Sequence, residues 1–112
     1  MSQSQHSKII PFSGDVEYAP GGIVSKRILE KTTGNISLFA FDKDQRLSEH
    51  SAPFDALIHV IEGQARITIG REPHNLGAGE GIIMPANIPH AVYATERFKM
   101  LLTMIKGEDK TE

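Results

Sequence analysis

Short apolar runs of strand length, separated by turn-forming residues, recur along most of this chain. Apolar and polar residues alternate cleanly in residues 65–69 (ARITI), and apolar residues occupy both faces of the runs at residues 36–41 (ISLFAF) and 98–106 (FKMLLTMIK). A period of two residues is typical of β-strands, because successive side chains point to opposite faces of a sheet. Turn signals recur about every 8–12 residues. The pattern therefore predicts an all-β domain of about nine short strands and no amphipathic helix.

Residues 55–62 (DALIHVIE) are apolar on both faces of the predicted strand. Ala56, Ile58 and Val60 share one face, and Leu57, His59 and Ile61 share the other. Such a strand lies in the centre of a fold, or a second subunit covers its outer face. With the strand predicted at residues 23–30, it leaves more apolar surface than a thin barrel can bury, so we expect a homodimer. Gly63 and Gln64 are expected to form a two-residue hairpin turn.

Length and composition restrict the possible classes of function. The chain has 112 residues, which we interpret as one domain at 1–112, with a loose tail at 1–7 and a charged tail at 107–112. A net charge of −2 with mixed signs predicts no nucleic-acid partner. The absence of cysteine excludes disulfides, zinc ribbons and thiol nucleophiles. No apolar run has the length of a membrane span or a signal peptide, so we expect a cytoplasmic protein without a membrane partner.

One stretch, residues 77–91, combines turn-forming residues with a histidine. Its glycines precede a short apolar strand at residues 82–84, and two prolines follow that strand. Asn87 lies between the prolines, at a position where a residue that tolerates positive φ is useful. His90 directly follows the second proline, so the turn presents it from a rigid frame. At this position His90 could bind a metal, contact a ligand or form a hydrogen bond.

These residues resemble a known motif. Gly79, Pro85, Asn87 and His90 resemble the second conserved motif of the cupin family, in which a glycine normally occupies the position of Asn87. The stretch from His50 to the Val-Ile-Glu-Gly sequence at residues 60–63 resembles the first cupin motif. The resemblance implies a cupin-type jelly-roll barrel of about six to eight strands, usually dimeric. Because this fold carries isomerases, dioxygenases, storage proteins and sensors, the resemblance implies no single activity.

The resemblance also implies a metal site, of which this sequence supplies only part. Metal-binding cupins use two histidines and a glutamate from the first motif and one histidine from the second. His50 and His90 match two of these positions, and Ser48 replaces the first histidine. With or without a metal, we expect His50 and His90 to line the ligand pocket. His59 is expected to point away from the interior, as a packing residue or as a residue of a subunit interface.

The position in this sequence that corresponds to the metal-binding glutamate of the first cupin motif is ambiguous. Counting forward from the first motif places it at Phe54 or Asp55, and counting back from Gly63 places it at Ala56. A bulge at residues 53–54 would absorb the extra length and let Asp55 reach the site. The implied metal ligands are therefore His50, His90 and Asp55. They would hold one divalent ion (Mn, Fe, Ni, Cu or Zn). The alternative is a pair of neutral histidines without a metal.

The predicted barrel and its partial set of metal ligands suggest two main functions. The first is a small barrel that binds a small organic ligand in its interior, with or without the metal. The alternative is a metal-dependent enzyme of the isomerase or dioxygenase type, acting on a small carbohydrate, an organic acid or an aromatic compound. A module that acts through its dimer surface is a third hypothesis. The residues alone leave open whether the protein is an enzyme.

Overall fold

The computed structural model describes residues 6–106, which form eight β-strands and one short 3₁₀-helix. The prediction of an all-β fold is confirmed. The elements are the 3₁₀-helix Phe12–Gly14 and the strands β1 (Ile23–Lys31), β2 (Gly34–Phe41), β3 (Arg46–His50), β4 (Asp55–Ile69), β5 (Glu72–Gly77), β6 (Gly81–Met84), β7 (His90–Tyr93) and β8 (Phe98–Ile105). Most of the predicted N-terminal tail and the whole predicted C-terminal tail lie outside the described residues. Within residues 6–106, no helix has the length and apolarity needed to cross a membrane.

Strand β4 is the centre of the fold, because it pairs with four other strands. The strand order is β1-β2-β8-β4-β7-β3, with β5 and β6 also paired to β4, and all pairs are antiparallel. The first half of β4 pairs with β8 and β6, and its second half pairs with β5 and β7. One strand thereby belongs to two sheets, which curl around a common interior.

The predicted hairpin turn at Gly63 and Gln64 was wrong, because β4 continues through both residues as one strand of 15 residues. The strand bends there instead of reversing. The β4–β8 register shifts between Val60 and Glu62, and Gly63 has a φ of +84°. A Cβ at Gly63 would lie 1.9 Å from the carbonyl oxygen of Arg97, so only glycine permits this approach of the backbones. The bulge and the glycine turn the strand from one sheet into the other.

The two faces of the sheet around β2 pack into separate hydrophobic clusters. Phe39 and Phe41 belong to the interior cluster, whereas Leu38 and Ala40 belong to an outer cluster. The outer cluster is completed by the segment that precedes β1, which contributes Ile10, Val16 and Tyr18. Burying each large side chain contributes about 1.5–3 kcal/mol to folding, so both clusters stabilise the sheet.

Polar contacts fasten the same N-terminal segment to the barrel. The hydroxyl of Tyr18 donates to Oε2 of Glu62 at 2.6 Å, and the hydroxyl of Ser13 donates to Oε1. Lys99 is buried, lies 3.8 Å from Glu62 and donates to the carbonyl oxygen of Ser13. The hydrogen bonds from Ser13 and Tyr18 lower the pKa of the Glu62 carboxyl, which keeps it ionised beside Lys99.

Candidate functional site

The turn between β6 and β7 holds His90 in place, as its sequence suggested. Asn87 has a φ of +67°, so it adopts the left-handed conformation expected for it. Its N–H donates to the carbonyl oxygen of Ala52 at 2.7 Å, and the carbonyl of Pro89 accepts the N–H of Gly70 at 2.8 Å. These hydrogen bonds tie the turn to two neighbouring loops, so His90 starts β7 from a fixed backbone.

The structure brings His50 and His90 together. They are register partners on the antiparallel strands β3 and β7. Their ring centroids are 4.5 Å apart, and the ring planes meet at 72°. His90 is 7% exposed, whereas His50 is exposed to solvent. The pair therefore has one buried and one accessible imidazole at the same site.

Each imidazole is oriented by a carbonyl of its own chain segment, two residues earlier. Nδ1 of His50 lies 3.0 Å from the carbonyl oxygen of Ser48, and Nδ1 of His90 lies 3.3 Å from that of Ile88. A carbonyl oxygen can only accept, so Nδ1 is the protonated nitrogen in both rings. In the neutral state, Nε2 of each ring then carries a free lone pair. Both histidines are thus presented as acceptors or as ligands through Nε2.

Burial favours the neutral form of His90. Desolvation lowers the pKa of its imidazole, and a charge on His50 would lower it further. The hydrogen bond to the Ile88 carbonyl has the opposite but smaller effect. The lowered pKa therefore favours a neutral imidazole at His90 at neutral pH.

A cavity of about 140 Å³ lies inside the barrel next to the histidine pair. Ten of its twelve lining residues are apolar, and the two histidines are its only titratable groups among the described residues. The apolar lining consists of Leu47, Ala52, Phe54, Ala56, Ile58, Met84, Val92, Met100, Leu102 and Met104. The period of two residues along β8 places residues 100, 102 and 104 on one face, but it does not show that the space in front of them is empty. The sequence therefore predicted a ligand pocket at His50 and His90, but it did not indicate which apolar residues line that pocket.

Asp55, the third candidate ligand, is used elsewhere. Its Oδ1 accepts the N–H of Ala86 at 2.8 Å, and its side chain is exposed. Its neighbours Phe54 and Ala56 line the cavity, so both alternative glutamate positions carry apolar side chains. The carboxylate of Asp55 secures the start of the turn that ends in His90.

A bulge in β3, and not at residues 53–54, sets which residues of the first motif reach the cavity. The β3–β7 register shifts between Leu47 and His50, so these two residues line the cavity although they are three positions apart. Ser48 is exposed and does not line the cavity. Across residues 6–106, no group of three or more His, Cys, Asp or Glu side chains is arranged to hold a metal ion.

The comparison with protein families identifies the chain. A family model for the cupin domain matches residues 37–106, more than half of the sequence. The chain belongs to the cupin family. The matched region contains strands β3 to β8 and all the cavity-lining residues of this cupin, including two in the loop between β3 and β4. The jelly-roll architecture expected from the two motifs is confirmed.

Several solved structures are similar to this cupin. A conserved protein of unknown function from Streptococcus pyogenes is 36% identical, with a TM-score of 0.87 over 93% of this chain and 91% of that one. A cupin 2 conserved barrel domain protein from Leptotrichia buccalis is 40% identical (TM-score 0.84), over 87% of this chain and 47% of that one, so this chain spans about half of it. A cupin superfamily protein from Desulfitobacterium hafniense is 25% identical (TM-score 0.85), over 91% and 94% of the two chains. The comparison with curated proteins gave no match.

This cupin departs from the metal-ligand set that the family resemblance implied. Ser48 does not line the cavity, and Asp55 is exposed and accepts a hydrogen bond from Ala86. The other two candidate positions for the glutamate, Phe54 and Ala56, carry apolar side chains. Two imidazoles remain, whereas catalytic zinc sites use three protein ligands. The residues present therefore do not fit a complete catalytic metal centre.

Proposed function

We propose that this cupin binds a small apolar organic molecule in its interior, with His50 and His90 in contact with the polar end of that molecule. The observation that carries this proposal is the apolar cavity of about 140 Å³ beside the two histidines. An engineered apolar cavity of about 150 Å³ binds benzene, so the volume here suits a molecule of about one aromatic ring. Removing such a molecule from water provides the driving force, at about 25 cal/mol per Å² of apolar surface.

The nature of the lining supports a binding role. Met84, Met100 and Met104 all face the cavity. Methionine side chains are flexible and polarisable, and they adapt to ligands of differing shape and contact aromatic rings favourably. The exposed His50 lies on the side from which a ligand would enter, and the buried His90 lies deeper. The cavity thus combines an adaptable apolar body with a polar entrance.

Binding of toluene tests the proposal directly. Saturating toluene should shift amide resonances around the cavity and raise the melting temperature, because the ligand binds only the folded state. In Ala56→Phe, a ring fills the cavity, and both effects should disappear. In His59→Phe, which places the same ring on the exposed outer face of β4, both effects should persist. Absence of any shift in the wild type would refute binding of a ring-sized apolar molecule.

A metal-dependent enzyme is the second candidate, and the orientation of the histidine pair favours it. Two Nε2 lone pairs on neighbouring imidazoles are suited to coordinate a transition metal. Water or the organic molecule would have to supply the remaining ligands, because the described residues supply only these two. A bound metal would act as a Lewis acid on that molecule.

Elemental analysis separates the two candidates. We expect metal far below one equivalent in protein purified without added metal. Near-stoichiometric metal that is lost in His50→Ala and in His90→Ala, but retained in the matched control His59→Ala, would favour the enzyme instead.

The expected homodimer also remains a proposal, and the outer face of the sheet supports it. Leu57, Ile83 and Ile105 are 42%, 60% and 66% exposed. Leu57 pairs with Ile83 on β6, and Asp55 pairs with Ile105 on β8. Cross-strand partners point to the same face of a sheet, so the three apolar side chains form one patch on the outer face. His59 is exposed on this face as well. A second copy of the chain would cover such a patch.

Light scattering of an Ile83→Asp variant tests the dimer. The wild type should have a dimeric mass at micromolar concentration, and the variant should be monomeric because a carboxylate would be buried at the interface. Ile9→Asp is the matched control, since Ile9 is 96% exposed and lies outside the patch. A monomeric wild type would contradict the proposal.

A further inference from the structure

In their neutral forms, the two histidines offer hydrogen-bond acceptors at Nε2 and no further donor. In both rings the single proton of the neutral imidazole is engaged at Nδ1, by the carbonyls of Ser48 and Ile88. Each Nε2 therefore carries a lone pair. Neither Nε2 takes part in a side-chain hydrogen bond with the residues that the structure describes.

The remainder of the cavity supplies no side-chain donor either. The ten other lining residues have aliphatic, aromatic or thioether side chains. A carboxylate in this cavity would lose its hydration without gaining a side-chain donor from the lining, which is costly. A hydroxyl or amino group would instead donate to Nε2 of His50 or of His90. The ring centroids are 4.5 Å apart, so an amino group has one N–H bond for each of two neighbouring rings.

We infer that the ligand of this cupin carries a neutral hydrogen-bond donor, a hydroxyl or an amino group, on an apolar body of about one ring, and that carboxylic acids are poor ligands. The inference rests on the proposed function, because it specifies the polar end of the molecule that the cavity would bind. It follows from the orientation of the two imidazoles and from the apolar lining together.

Three probes that share one benzene ring test it: phenol and toluene, which have the same size, and the larger, charged benzoate. Their dissociation constants are measured by titration of amide resonances at neutral pH in the presence of a metal chelator. Wild-type protein should bind phenol more tightly than toluene and benzoate weakest. The ratio of toluene to phenol dissociation constants should fall about tenfold in the double variant His50→Leu/His90→Leu, because the acceptors are gone.

Comparison within each variant protects the test from changes in the fold. Phenol and toluene fill the same space, so a change in stability or in cavity volume alters both dissociation constants together and leaves their ratio unaffected. Should the double variant fail to fold, His50→Leu alone must still lower the ratio, since His50 is exposed and its replacement disturbs no core. His59→Leu on the outer face is the matched control and should keep the wild-type ratio.

Each remaining outcome has a defined meaning. If toluene binds the wild type more tightly than phenol, the inference is overturned while the proposed function stands. Tighter binding of benzoate than of phenol overturns it too, because the imidazoles would then act as donors. If none of the three probes binds, the proposed function fails, and the inference fails with it.

Discussion

Strand β8 contributes to both ends of the barrel interior, but the two ends are packed in opposite ways. At one end, Phe41 and Phe98 are fully buried and stack with ring centroids 4.6 Å apart. At the other end, Ala56 and Met104, which are register partners on β4 and β8, border the cavity of about 140 Å³. Met104 lies six residues after Phe98 on β8, so along this one strand the interior changes from stacked rings to a cavity bordered by a methyl group and a flexible thioether.

This difference separates stability from recognition. Interiors are normally close-packed, and a void forfeits dispersion contacts on one side of its lining. The packed end therefore contributes more stability for each buried residue than the cavity end. The cavity end retains space at a cost in stability, and that space adjoins the histidine pair. We conclude that the packed end maintains the fold and the cavity end is available for a ligand.

The largest expected effect is at the packed end. Phe98→Ala should lower the free energy of unfolding by about 3–5 kcal/mol, because it removes a fully buried ring and leaves a new void. Met104→Ala, at the cavity end, should cost about 2 kcal/mol or less, since this side chain is only partly buried and already borders empty space. Urea denaturation measures both. Equal losses would remove the distinction between the two ends.

Restoring a carboxylate should convert the cavity end into a metal site. In Ala56→Glu, a carboxylate would join His50 and His90, which line the same cavity. We expect Ni²⁺ or Zn²⁺ to stabilise this variant by about 2.7 kcal/mol at a concentration one hundred times the dissociation constant. Thermal melting with and without the metal measures the shift.

The matched control for this gain of binding is Asp55→Glu, which lengthens the neighbouring carboxylate on the exposed face. It should show no metal-dependent shift. A shift in Asp55→Glu equal to that in Ala56→Glu would mean that Asp55 reaches the histidines after all.

Filling the cavity should be tolerated better than filling the packed core. Ala56→Leu has the cavity to expand into, so it should change the free energy of unfolding by less than about 1 kcal/mol and abolish toluene binding. Ala65→Leu on the same strand, at a residue that is 1% exposed and does not line the cavity, should cost about 1–3 kcal/mol. Similar losses in the two variants would argue that the cavity closes in solution.

The smallest expected effect is the pH dependence due to His90. Its pKa in the folded state is lowered, mainly by burial, so the unfolded chain binds the proton first as the pH falls below about 6.5. The stability associated with neutral His90 is complete above that pH and is lost as the pH falls through the folded-state pKa. Urea denaturation between pH 8 and about 5 should show this decline.

His90→Gln should have a shallower decline over the same range, because glutamine does not titrate. His59→Gln, at an exposed position, should retain the wild-type slope. An unchanged slope in His90→Gln would show that His90 titrates alike in the folded and unfolded chains.

Local patterns were sufficient to predict much of the fold. Apolar runs of strand length predicted β2, β8 and the first half of β4, alternation predicted its second half, and the proline-asparagine turn predicted the conformation of Asn87. The same approach failed at Gly63, because a glycine between two apolar runs fits a hairpin turn as well as a bend in one long strand. Only the approach of the Arg97 carbonyl, a contact distant in sequence, distinguishes the two.

The sequence by itself determined the fold family and the two histidines, since both depend on short motifs and on a period of two residues. Tertiary structure decided what surrounds those histidines. The bulge in β3 turned Ser48 outward, and the hydrogen bond to Ala86 engaged Asp55 away from the pair. The cavity arises where side chains from five strands fail to meet, and such a void has no sequence period of its own. Packing between distant segments thus decided that the histidine pair borders an apolar cavity instead of a complete set of metal ligands.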